Sequence, residues 1–569
     1  MIPQGCTTLV EALLAAPAAR RFVTMWSPER SPEEETLTWG EFLALAQRYR
    51  ARLEAGGLGP GDRVILVLPQ GIPLLASFVG ALLGGQVPAI LAYPTFKADP
   101  AKYRDGLAGV SRNLQARAVV LDREFPAHLS GLIGELAPVV FADREPSACE
   151  EPARTHAAGP GDIAFIQHSA GTTGLQKGVS LSHRSVLAQL RHLSDALGVG
   201  RDDCIVSWLP LYHDMGLIAC LVLSLACHLR LVLLSPTDWV VQPSSLLELA
   251  TRHRATLCWL PNFAFQFLAR RVPEEYKTGL DLRSLRAVVN CSEPVLQRSL
   301  DEFVAAYEPS GFRREALATC YAMAENTFAV THSRPGAPAG PPAVTVDGEA
   351  LRREGVVTRV PADPPAALTL VSSGECLPGN LIRIVRDDGE ELAPGRVGEI
   401  LIRSDSLFQG YFNRPDLTGR ALREGWYHSG DLGFVLDRNL YVLGRKDDVI
   451  IVGGENFHPQ DIEEVACGHP DVHDGRAVAF GVRNPSLGTH DIVVVVEAEH
   501  ADRLVRKREI ELEVRRRLTN HLGVAPRVVW VVPPRWMVKS TAGKPARSTN
   551  RRKFLQEHPE LDTEGSLGR

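Results

Sequence analysis

The stretch Gln167-His-Ser-Ala-Gly-Thr-Thr-Gly-Leu-Gln-Lys-Gly178 is the strongest local signal in this sequence. It follows a strand-like apolar run, residues 163–167, and helix-like sequence begins near Ser182. Its glycines let backbone amides approach an anion, its hydroxyl side chains add donors, and Lys177 adds positive charge, so it suits a polyphosphate. The spacing does not fit the usual GxxxxGK[ST] P-loop. Taken alone, the stretch is also compatible with an ordinary glycine-rich turn that binds no phosphate.

On both sides of this stretch, strand-like runs alternate with helix-like segments. The strand-like runs are residues 64–68, 118–121, 163–167, 205–208, 231–234 and 285–290. The helix-like segments include residues 42–55, 185–197, 244–253 and 293–307. This alternation predicts an α/β fold with parallel-type sheets flanked by helices. Shorter, hairpin-like strands at 381–385, 398–403 and 440–443 predict a β-rich subdomain behind them.

The chain length predicts more than one domain, because 569 residues exceed what one hydrophobic core usually serves. A new α+β pattern begins after residue 443. We therefore predict a large N-terminal domain over residues 1–443 and a small C-terminal domain over residues 444–569. Residues 335–365 are rich in Pro, Gly and Ala and are predicted to form a loop, with one ordered segment at 344–357.

Composition excludes several classes of protein. The net charge of −5 gives no bulk attraction to nucleic acid or to an anionic membrane. No charge falls between Arg63 and Lys97, but prolines and glycines divide that run into strand, helix and strand, so a buried βαβ unit is predicted instead of a membrane span. The ten cysteines lack metal-site spacing, and Cys220, Cys227 and Cys258 lie in apolar runs, which favours buried thiols in a reducing compartment, the cytoplasm. Glu11 interrupts the apolar N-terminus, which argues against a secretory signal.

The phosphate-binding stretch resembles that of the adenylate-forming superfamily, which includes acyl-CoA synthetases, luciferases and nonribosomal adenylation domains. Further motifs of that superfamily follow in the same order across nearly the whole chain. They are Trp208-Leu-Pro-Leu-Tyr-His-Asp-Met-Gly216, Asn290-Cys-Ser-Glu-Pro294, Tyr321-Ala-Met-Ala-Glu325, Tyr427-His-Ser-Gly-Asp431, Gly444-Arg-Lys-Asp-Asp448 and Lys539-Ser-Thr-Ala-Gly-Lys544. Agreement in both type and order is far more specific than any single motif.

Within that superfamily the sequence most resembles the fatty acyl-AMP ligases. Three stretches carry this resemblance: Leu211-Tyr-His-Asp-Met-Gly-Leu217, Pro261-Asn-Phe-Ala-Phe265 and Asn456-Phe-His-Pro-Gln-Asp-Ile-Glu463. Residues 344–357 look like the insertion that those ligases carry in the large domain. In that family the insertion is associated with transfer of the acyl group to a carrier protein instead of coenzyme A.

The resemblance implies a site for ATP and Mg²⁺. Lys544 would be the catalytic lysine that bridges the substrate carboxylate and the α-phosphate, and Glu325, with Thr173, would hold the metal ion. Tyr321 would stack on adenine, and Asp431, helped by Arg445, would bind the ribose hydroxyls. The remaining ATP-binding residues would be Ser169, Gly171, Thr172, Gly174, Lys177, Ser292, Glu293, Pro294, Ala322 and Met323.

The resemblance also implies an acyl pocket and a hinge. His213 would border both the acyl pocket and the α-phosphate and share in catalysis. Asp447 would be the hinge about which the small domain swings between adenylation and transfer. The rest of the acyl pocket would be Met215, Gly216, Trp259, Leu260, Pro261 and Phe263.

Each of these residues also has an ordinary structural interpretation. Lys544 can be a solvated tail lysine, although the chain has only nine lysines, which favours a specific use for each. His213 can be a satisfied core histidine and Tyr321 a buried structural tyrosine. Asp431 can cap a turn, and Glu325 can cap a helix.

The sequence departs from the family pattern at a few positions. Ala170 and Gln176 replace the usual hydroxyl or glycine and the usual proline of the phosphate-binding stretch, and Ala322 replaces a glycine. These changes leave room for reduced activity. At 259–260 a Trp-Leu pair stands where the fatty acyl-AMP ligases often have small residues, and we expect Trp259 to shorten or redirect an acyl tunnel.

The resemblance thus implies ATP-dependent activation of a fatty acid to acyl-AMP with release of pyrophosphate, and Trp259 leads us to expect an acid of medium chain length. The acyl group would then pass to the phosphopantetheine thiol of a separate acyl carrier protein. One alternative is an acyl-CoA or aryl-CoA ligase, and another is a catalytically silent homologue that binds a carrier. Two weaker motifs are set aside: Asp405-Ser-Leu407 lies among short strands, and residues 515–517 fit a solvated basic helix face.

Overall fold

The computed structural model describes residues 2–94, 100–129, 137–142, 155–168, 177–361, 367–484, 489–499, 501–539 and 545–561. The strands are β1 (Arg21–Trp26), β2 (Glu34–Thr38), β3 (Arg63–Leu66), β4 (Val87–Ile90), β5 (Ala118–Leu121), β6 (Val139–Phe141), β7 (Ile163–His168), β8 (Gly178–Ser182), β9 (Cys204–Ser207), β10 (Arg230–Leu234), β11 (Leu257–Leu260), β12 (Ala287–Cys291), β13 (Leu317–Ala322), β14 (Ala329–His332), β15 (Ala343–Asp347), β16 (Ala367–Val371), β17 (Glu375–Cys376), β18 (Asn380–Val385), β19 (Gly398–Ser404), β20 (Gly410–Tyr411), β21 (Leu422–Arg423), β22 (Trp426–Leu436), β23 (Asn439–Arg445), β24 (Ile450–Val452), β25 (Glu455–Phe457), β26 (Val472–Asn484), β27 (Thr489–Ala498) and β28 (Val528–Val532).

The α-helices are α1 (Leu9–Leu14), α2 (Trp39–Ala55), α3 (Ile72–Leu83), α4 (Pro100–Leu114), α5 (His183–Leu197), α6 (Leu223–Cys227), α7 (Pro236–Val241), α8 (Ser244–His253), α9 (Asn262–Arg271), α10 (Glu274–Lys277), α11 (Gln297–Tyr307), α12 (Gly348–Glu354), α13 (Pro415–Ala421), α14 (Pro459–Cys467), α15 (Leu504–Leu522) and α16 (Arg547–Glu557). A π-helix spans Met215–Val222, and a 3₁₀ turn spans Lys446–Asp448.

The largest sheet joins a parallel half to an antiparallel half. Its strand order is β18-β19-β22-β23-β17-β14-β13-β12-β11-β9-β10-β1-β2, with β21 paired to β22. Pairing is parallel from β13 through β12, β11, β9 and β10 to β1. Pairing is antiparallel from β13 through β14, β17, β23, β22 and β19 to β18. The predicted α/β fold with a β-rich part is therefore confirmed.

A second sheet, β4-β3-β5-β6, is parallel throughout. Strand β3, helix α3 and strand β4 form the buried βαβ unit predicted for the uncharged run, and nearly all of α3 is buried. Among the described residues, no helix is both long and apolar enough to cross a membrane.

One local expectation needs correction. The helix predicted over 293–307 begins only at Gln297, because Ser292 takes a positive φ of 72° and the Glu293 side chain turns back to bind the start of α9. Strand β8 was not predicted. It pairs antiparallel with β7 and is followed by α5, which begins at His183, as expected near Ser182.

The residues after 448 form their own apolar clusters around the sheet β26-β27-β28. Helices α14 and α15 contribute Ile462, Ile510 and Val514 to one cluster, and α16 contributes Phe554 to another. This is the α+β arrangement expected of the C-terminal part. The boundary at 443/444 stays a prediction; strand β23 of the large sheet continues to Arg445.

The segment predicted as an insertion is ordered. Strand β15 and helix α12 run through residues 343–354, and β15 pairs antiparallel with β16. Val346 and Leu351 pack with Phe434 and Tyr441 of the β22–β23 hairpin. The segment is thereby fixed to the antiparallel half of the large sheet.

Candidate functional site

The predicted site residues follow parallel strands at the edge where those strands end. Ser292 comes directly after β12, and Tyr321 and Ala322 are the last residues of β13. Pro261 comes directly after β11, and His213 lies in the segment that follows β9. Because these four strands pair in parallel, their carboxyl ends meet at one edge of the sheet.

Part of the predicted site lies outside the described residues. This part comprises Lys544, Ser169, Gly171, Thr172, Thr173 and Gly174, together with the two departures Ala170 and Gln176. The flanks of the phosphate-binding stretch are described: β7 ends at His168, β8 begins at Gly178, and these two residues are register partners. Lys177 is exposed beside them.

Three of the predicted ATP-binding residues form one hydrogen-bonded group. The Tyr321 hydroxyl donates to Oδ2 of Asp431, and the Arg445 guanidinium pairs with Oδ1 of the same carboxylate at 2.9 Å. Arg445 also donates to the Ser429 carbonyl oxygen at 2.9 Å. Burial and the neighbouring Asp431 charge raise the pKa of Tyr321, so its hydroxyl stays protonated and keeps donating. The parallel strand β13 is thereby joined to the β22–β23 hairpin.

Glu325 and Lys177 are connected through a residue that the sequence did not single out, Tyr411. The Tyr411 hydroxyl donates to Oε1 of Glu325 at 2.7 Å. The Lys177 ammonium lies over the ring of Tyr411, 4.9 Å from its centroid. No spacing rule could have found this contact, because Tyr411 and Glu325 are 86 residues apart in the chain.

His213 lies two residues before a π-helix, which begins at Met215. Its Nδ1 lies 2.7 Å from Oδ1 of Asp214, and that same oxygen accepts the Met215 amide at 2.8 Å where the π-helix begins. A methyl group on Gly216 would lie 2.4 Å from the carbonyl oxygen of Pro210, so only glycine fits there. Asp214, Met215 and Gly216 therefore hold the start of the π-helix and the adjacent His213 imidazole in place.

The other residues predicted to line an acyl pocket include four around the end of β11. Trp259 and Leu260 are fully buried in that strand, Pro261 is buried, and Phe263 is partly buried in the first turn of α9. The Trp259 indole N–H has no hydrogen-bond partner among the described residues. Phe263 packs edge-on against Trp208, with ring centroids 6.2 Å apart.

Glu293 has a structural partner that the sequence analysis missed. Its Oε2 accepts a hydrogen bond from the Phe263 amide at 3.0 Å. This amide lies in the first turn of α9, where the helix itself provides no carbonyl acceptor. Lys539 of the C-terminal part lies within electrostatic range of this carboxylate. Of its neighbours in the predicted nucleotide group, Pro294 is exposed and Met323 is partly buried.

The predicted hinge residue lies between two anchored neighbours. Lys446 pairs with Glu399 of β19 at 3.3 Å, on the large sheet. Asp448 pairs with Arg547 of α16 at 2.6 Å, on the C-terminal side. Asp447 is exposed between them. The arrangement suits a pivot, because backbone rotation at Asp447 leaves both anchors in place.

Comparisons with known proteins identify the family to which the chain belongs. Residues 14–412 match the family described as AMP-binding enzyme. The chain is 30% identical over 516 residues to the medium-chain-fatty-acid–[acyl-carrier-protein] ligase JamA of Moorena producens, across 87% of this chain and 86% of that protein. It is 29% identical over 542 residues to the long-chain-fatty-acid–AMP ligase FadD26 of Mycobacterium marinum, across 90% of each. A solved structure from a study of fatty acyl-adenylate ligases of E. coli and L. pneumophila superimposes with a TM-score of 0.89 at 29% identity, across 98% of this chain and 99% of that one.

A charge change at Glu293 should be detectable at Lys539. Burial, followed by the nearby Arg476, lowers the pKa of Lys539 to about 8, while Glu497 and Glu293 oppose that shift. We expect Glu293→Gln to lower this pKa further, because the amide removes the negative charge but can still accept the Phe263 amide. The pH dependence of Lys539 acetylation, followed by peptide mass spectrometry, measures the midpoint. Glu293→Asp is the charge-retaining control, and an unchanged midpoint in Glu293→Gln would show that the two groups do not interact.

Proposed function

This chain belongs to the AMP-binding enzyme family and, within it, to the fatty acyl-AMP ligases, and on that premise we propose that it activates a medium-chain fatty acid and passes the acyl group to a separate carrier protein. Membership makes it an enzyme that forms acyl-adenylates from ATP. The observation that carries the proposal is that Tyr321, Asp431 and Arg445 form one hydrogen-bonded group and that Tyr411 joins Glu325 to Lys177.

In the proposed first step, a carboxylate oxygen of the acid attacks the α-phosphorus of ATP. The bond from that phosphorus to the oxygen shared with the β-phosphate breaks, and pyrophosphate leaves with the bonding electrons. All reacting groups are anionic, so cations lower the barrier. We assign Lys177 to the phosphates, Lys544 to the carboxylate and α-phosphate, and His213 to the border between the α-phosphate and the acyl pocket.

The nucleotide would be held by groups that are already oriented. Asp431 receives the Tyr321 hydroxyl on Oδ2 and pairs with Arg445 through Oδ1, and these contacts orient the carboxylate to which we assign the ribose hydroxyls. Tyr321 is assigned to adenine. The other proposed nucleotide contacts come from the phosphate-binding stretch and from the strand ends, namely Ser169, Gly171, Thr172, Thr173, Gly174, Ser292, Glu293, Pro294, Ala322 and Met323.

Glu325 fits a metal ion that is bound mainly by ATP. Magnesium at nucleotide sites is usually held by one or two protein oxygens together with phosphate oxygens and water. The described residues contain no cluster of three or more His, Cys, Asp or Glu that could hold a metal by themselves. One carboxylate, with Thr173 as a second proposed ligand, matches that chemistry. Bound there, Mg²⁺ would shield the triphosphate and stabilise the departing pyrophosphate.

A medium chain length is proposed from the size of Trp259. This indole fills fully buried space in β11, at the position where we place the acyl pocket. His213, Met215, Gly216, Leu260, Pro261 and Phe263 are the other proposed pocket residues. A bulky, buried side chain leaves less room for a long acyl tail.

Transfer to a carrier is supported by contacts of the ordered segment with the C-terminal part. Arg353 of α12 pairs with Glu455 of β25 at 2.9 Å, and Arg352 reaches the same carboxylate at 3.8 Å. The Arg352 guanidinium also lies over the Phe457 ring, 5.5 Å from its centroid. These contacts restrain rotation about Asp447, which is what we propose discriminates a docked carrier from free coenzyme A.

We place this chemistry in the cytoplasm. The nine cysteines among the described residues are free, and most are buried, as is usual for proteins of a reducing compartment.

Product analysis tests the proposal as a whole. The protein is incubated with MgATP, saturated acids of graded length, and either coenzyme A or a holo carrier protein, and products are resolved by mass spectrometry. We expect acyl-AMP to accumulate with coenzyme A and to be consumed by the carrier. Rapid acyl-CoA formation would assign the acceptor to coenzyme A instead, and no product with any acid would identify a silent homologue.

The restraint by α12 has its own test. Glu455→Ala removes both arginine contacts, and we expect it to increase acyl-CoA formation severalfold while leaving acyl-AMP formation near the wild-type rate. Glu349→Ala is the matched control, because Glu349 pairs with the same Arg353 at 3.3 Å but lies within α12 itself. If both variants resemble the wild type with coenzyme A, these ion pairs do not restrain transfer.

The chain-length proposal predicts the behaviour of Trp259→Gly. Removing the indole opens buried volume, so the ratio of kcat/KM for a long-chain acid to that for a medium-chain acid should rise about tenfold. Trp39→Gly, which removes an equally buried indole from α2, controls for loss of stability. The proposal fails if the wild type already prefers long chains and Trp259→Gly does not shift that preference.

A further inference from the structure

Tyr411 contacts both charged groups that the proposed reaction places on the triphosphate. Its hydroxyl donates to Oε1 of Glu325 at 2.7 Å, and the Lys177 ammonium lies over its ring, 4.9 Å from the ring centroid. The two contacts use different parts of the side chain. We propose that Tyr411 is a positioning residue that holds the Glu325 carboxylate for the metal ion and Lys177 for the phosphates; this rests on the proposed function.

The backbone fixes Tyr411 from two directions. It pairs with Val179 in β8, two residues after Lys177, and its amide donates to the Thr418 hydroxyl at 2.9 Å. The preceding residue, Gly410, has a φ of 137°, and a methyl group there would lie 2.9 Å from the Thr418 side chain. Tyr411 is therefore tied to the strand that leaves the phosphate-binding stretch.

Glu325 is held on both its backbone and its side chain. The Phe408 amide donates to the Glu325 carbonyl oxygen at 2.8 Å, while Tyr411 holds Oε1. In the part of the chain that the structure describes, no hydrogen bond reaches the other carboxylate oxygen, Oε2. One oxygen is thus used for orientation, and the second remains as a ligand atom.

The hydrogen bond runs from Tyr411 to Glu325. The phenol supplies the proton and an ionised carboxylate can only accept, so Tyr411 is the donor. The Tyr411 ring also packs edge-on against Phe408, with ring centroids 4.9 Å apart. A donor that is itself held in place orients the carboxylate before any metal arrives, which is how groups around a ligand residue usually act.

The two contacts can be separated by substitution. Tyr411→Phe keeps the ring beneath Lys177 and removes only the hydroxyl that orients Glu325. Tyr411→Leu removes both contacts. Tyr307→Phe is a close control, because Tyr307 is also buried, donates its hydroxyl to the Leu268 carbonyl oxygen at 2.7 Å, and carries Lys277 over its ring at 5.6 Å.

Calorimetric titration of the full chain with MgATP, and with ATP in excess chelator, is the test. We expect Tyr411→Phe to raise the Kd of MgATP about tenfold, the size expected for losing one hydrogen bond to a charged group. Its Kd for metal-free ATP should stay within about twofold of the wild-type value, since Lys177 keeps its support. Tyr411→Leu should weaken both forms, and Tyr307→Phe neither.

Two outcomes would contradict the role assigned to Tyr411, and a third would contradict the proposed function as well. Wild-type MgATP affinity in Tyr411→Phe would show that the hydroxyl does not prepare a metal ligand. Equal weakening of MgATP and metal-free ATP in that variant would show a merely structural role. A wild-type protein that binds no MgATP would overturn the proposed function together with this inference.

Discussion

The hydrogen bond from Tyr321 to Asp431 is the interaction on which the site depends. It joins β13, the last strand of the parallel half of the sheet, to Asp431 of β22 in the antiparallel half. Arg445 of β23 pairs with the same carboxylate. Strands β13 and β22 are separated in the sheet by β14, β17 and β23, and this bond directly links the two strand ends to which we assign adenine and ribose. Asp431 is also buried, so its charge must be matched, and the phenol and the guanidinium together do so.

A second junction extends the first toward the phosphates. Tyr427 opens the motif that ends in Asp431, and its ring and the Tyr411 ring both pack edge-on against Phe408; Tyr411 in turn holds Glu325 and Lys177. Three motifs that are far apart in the sequence thus share one connected set of side chains. The charges that we assign to the nucleotide are held by protein groups, so in the proposed reaction they do not have to reorganise.

The parts of the fold that obey local rules could be predicted from the sequence. The helix over 244–253 was predicted with the bounds that α8 has, because its apolar period is regular. Helix α11 was misjudged at its start because Glu293 serves the end of a different helix, which no local pattern encodes. Strand β8 was missed because its two apolar residues, Val179 and Leu181, alternate with glycine and serine and form no apolar run.

The same distinction holds for the site. Motif order located Tyr321, Asp431 and Arg445, and the structure brings them together. Tyr411 could not be found in this way, since its importance arises only from tertiary contacts. The ion pairs of α12 with β25 likewise depend on how the C-terminal part docks, which the sequence of either segment alone does not specify.

The central claim is that the carboxylate of the acid attacks the α-phosphorus of ATP. The most direct measurement uses a medium-chain acid labelled with ¹⁸O in both carboxyl oxygens, together with MgATP and a holo carrier as the acceptor. After turnover, mass spectrometry should find one ¹⁸O atom in the phosphate of AMP and none in pyrophosphate. Label in inorganic phosphate with formation of ADP, or AMP without label, would contradict the account.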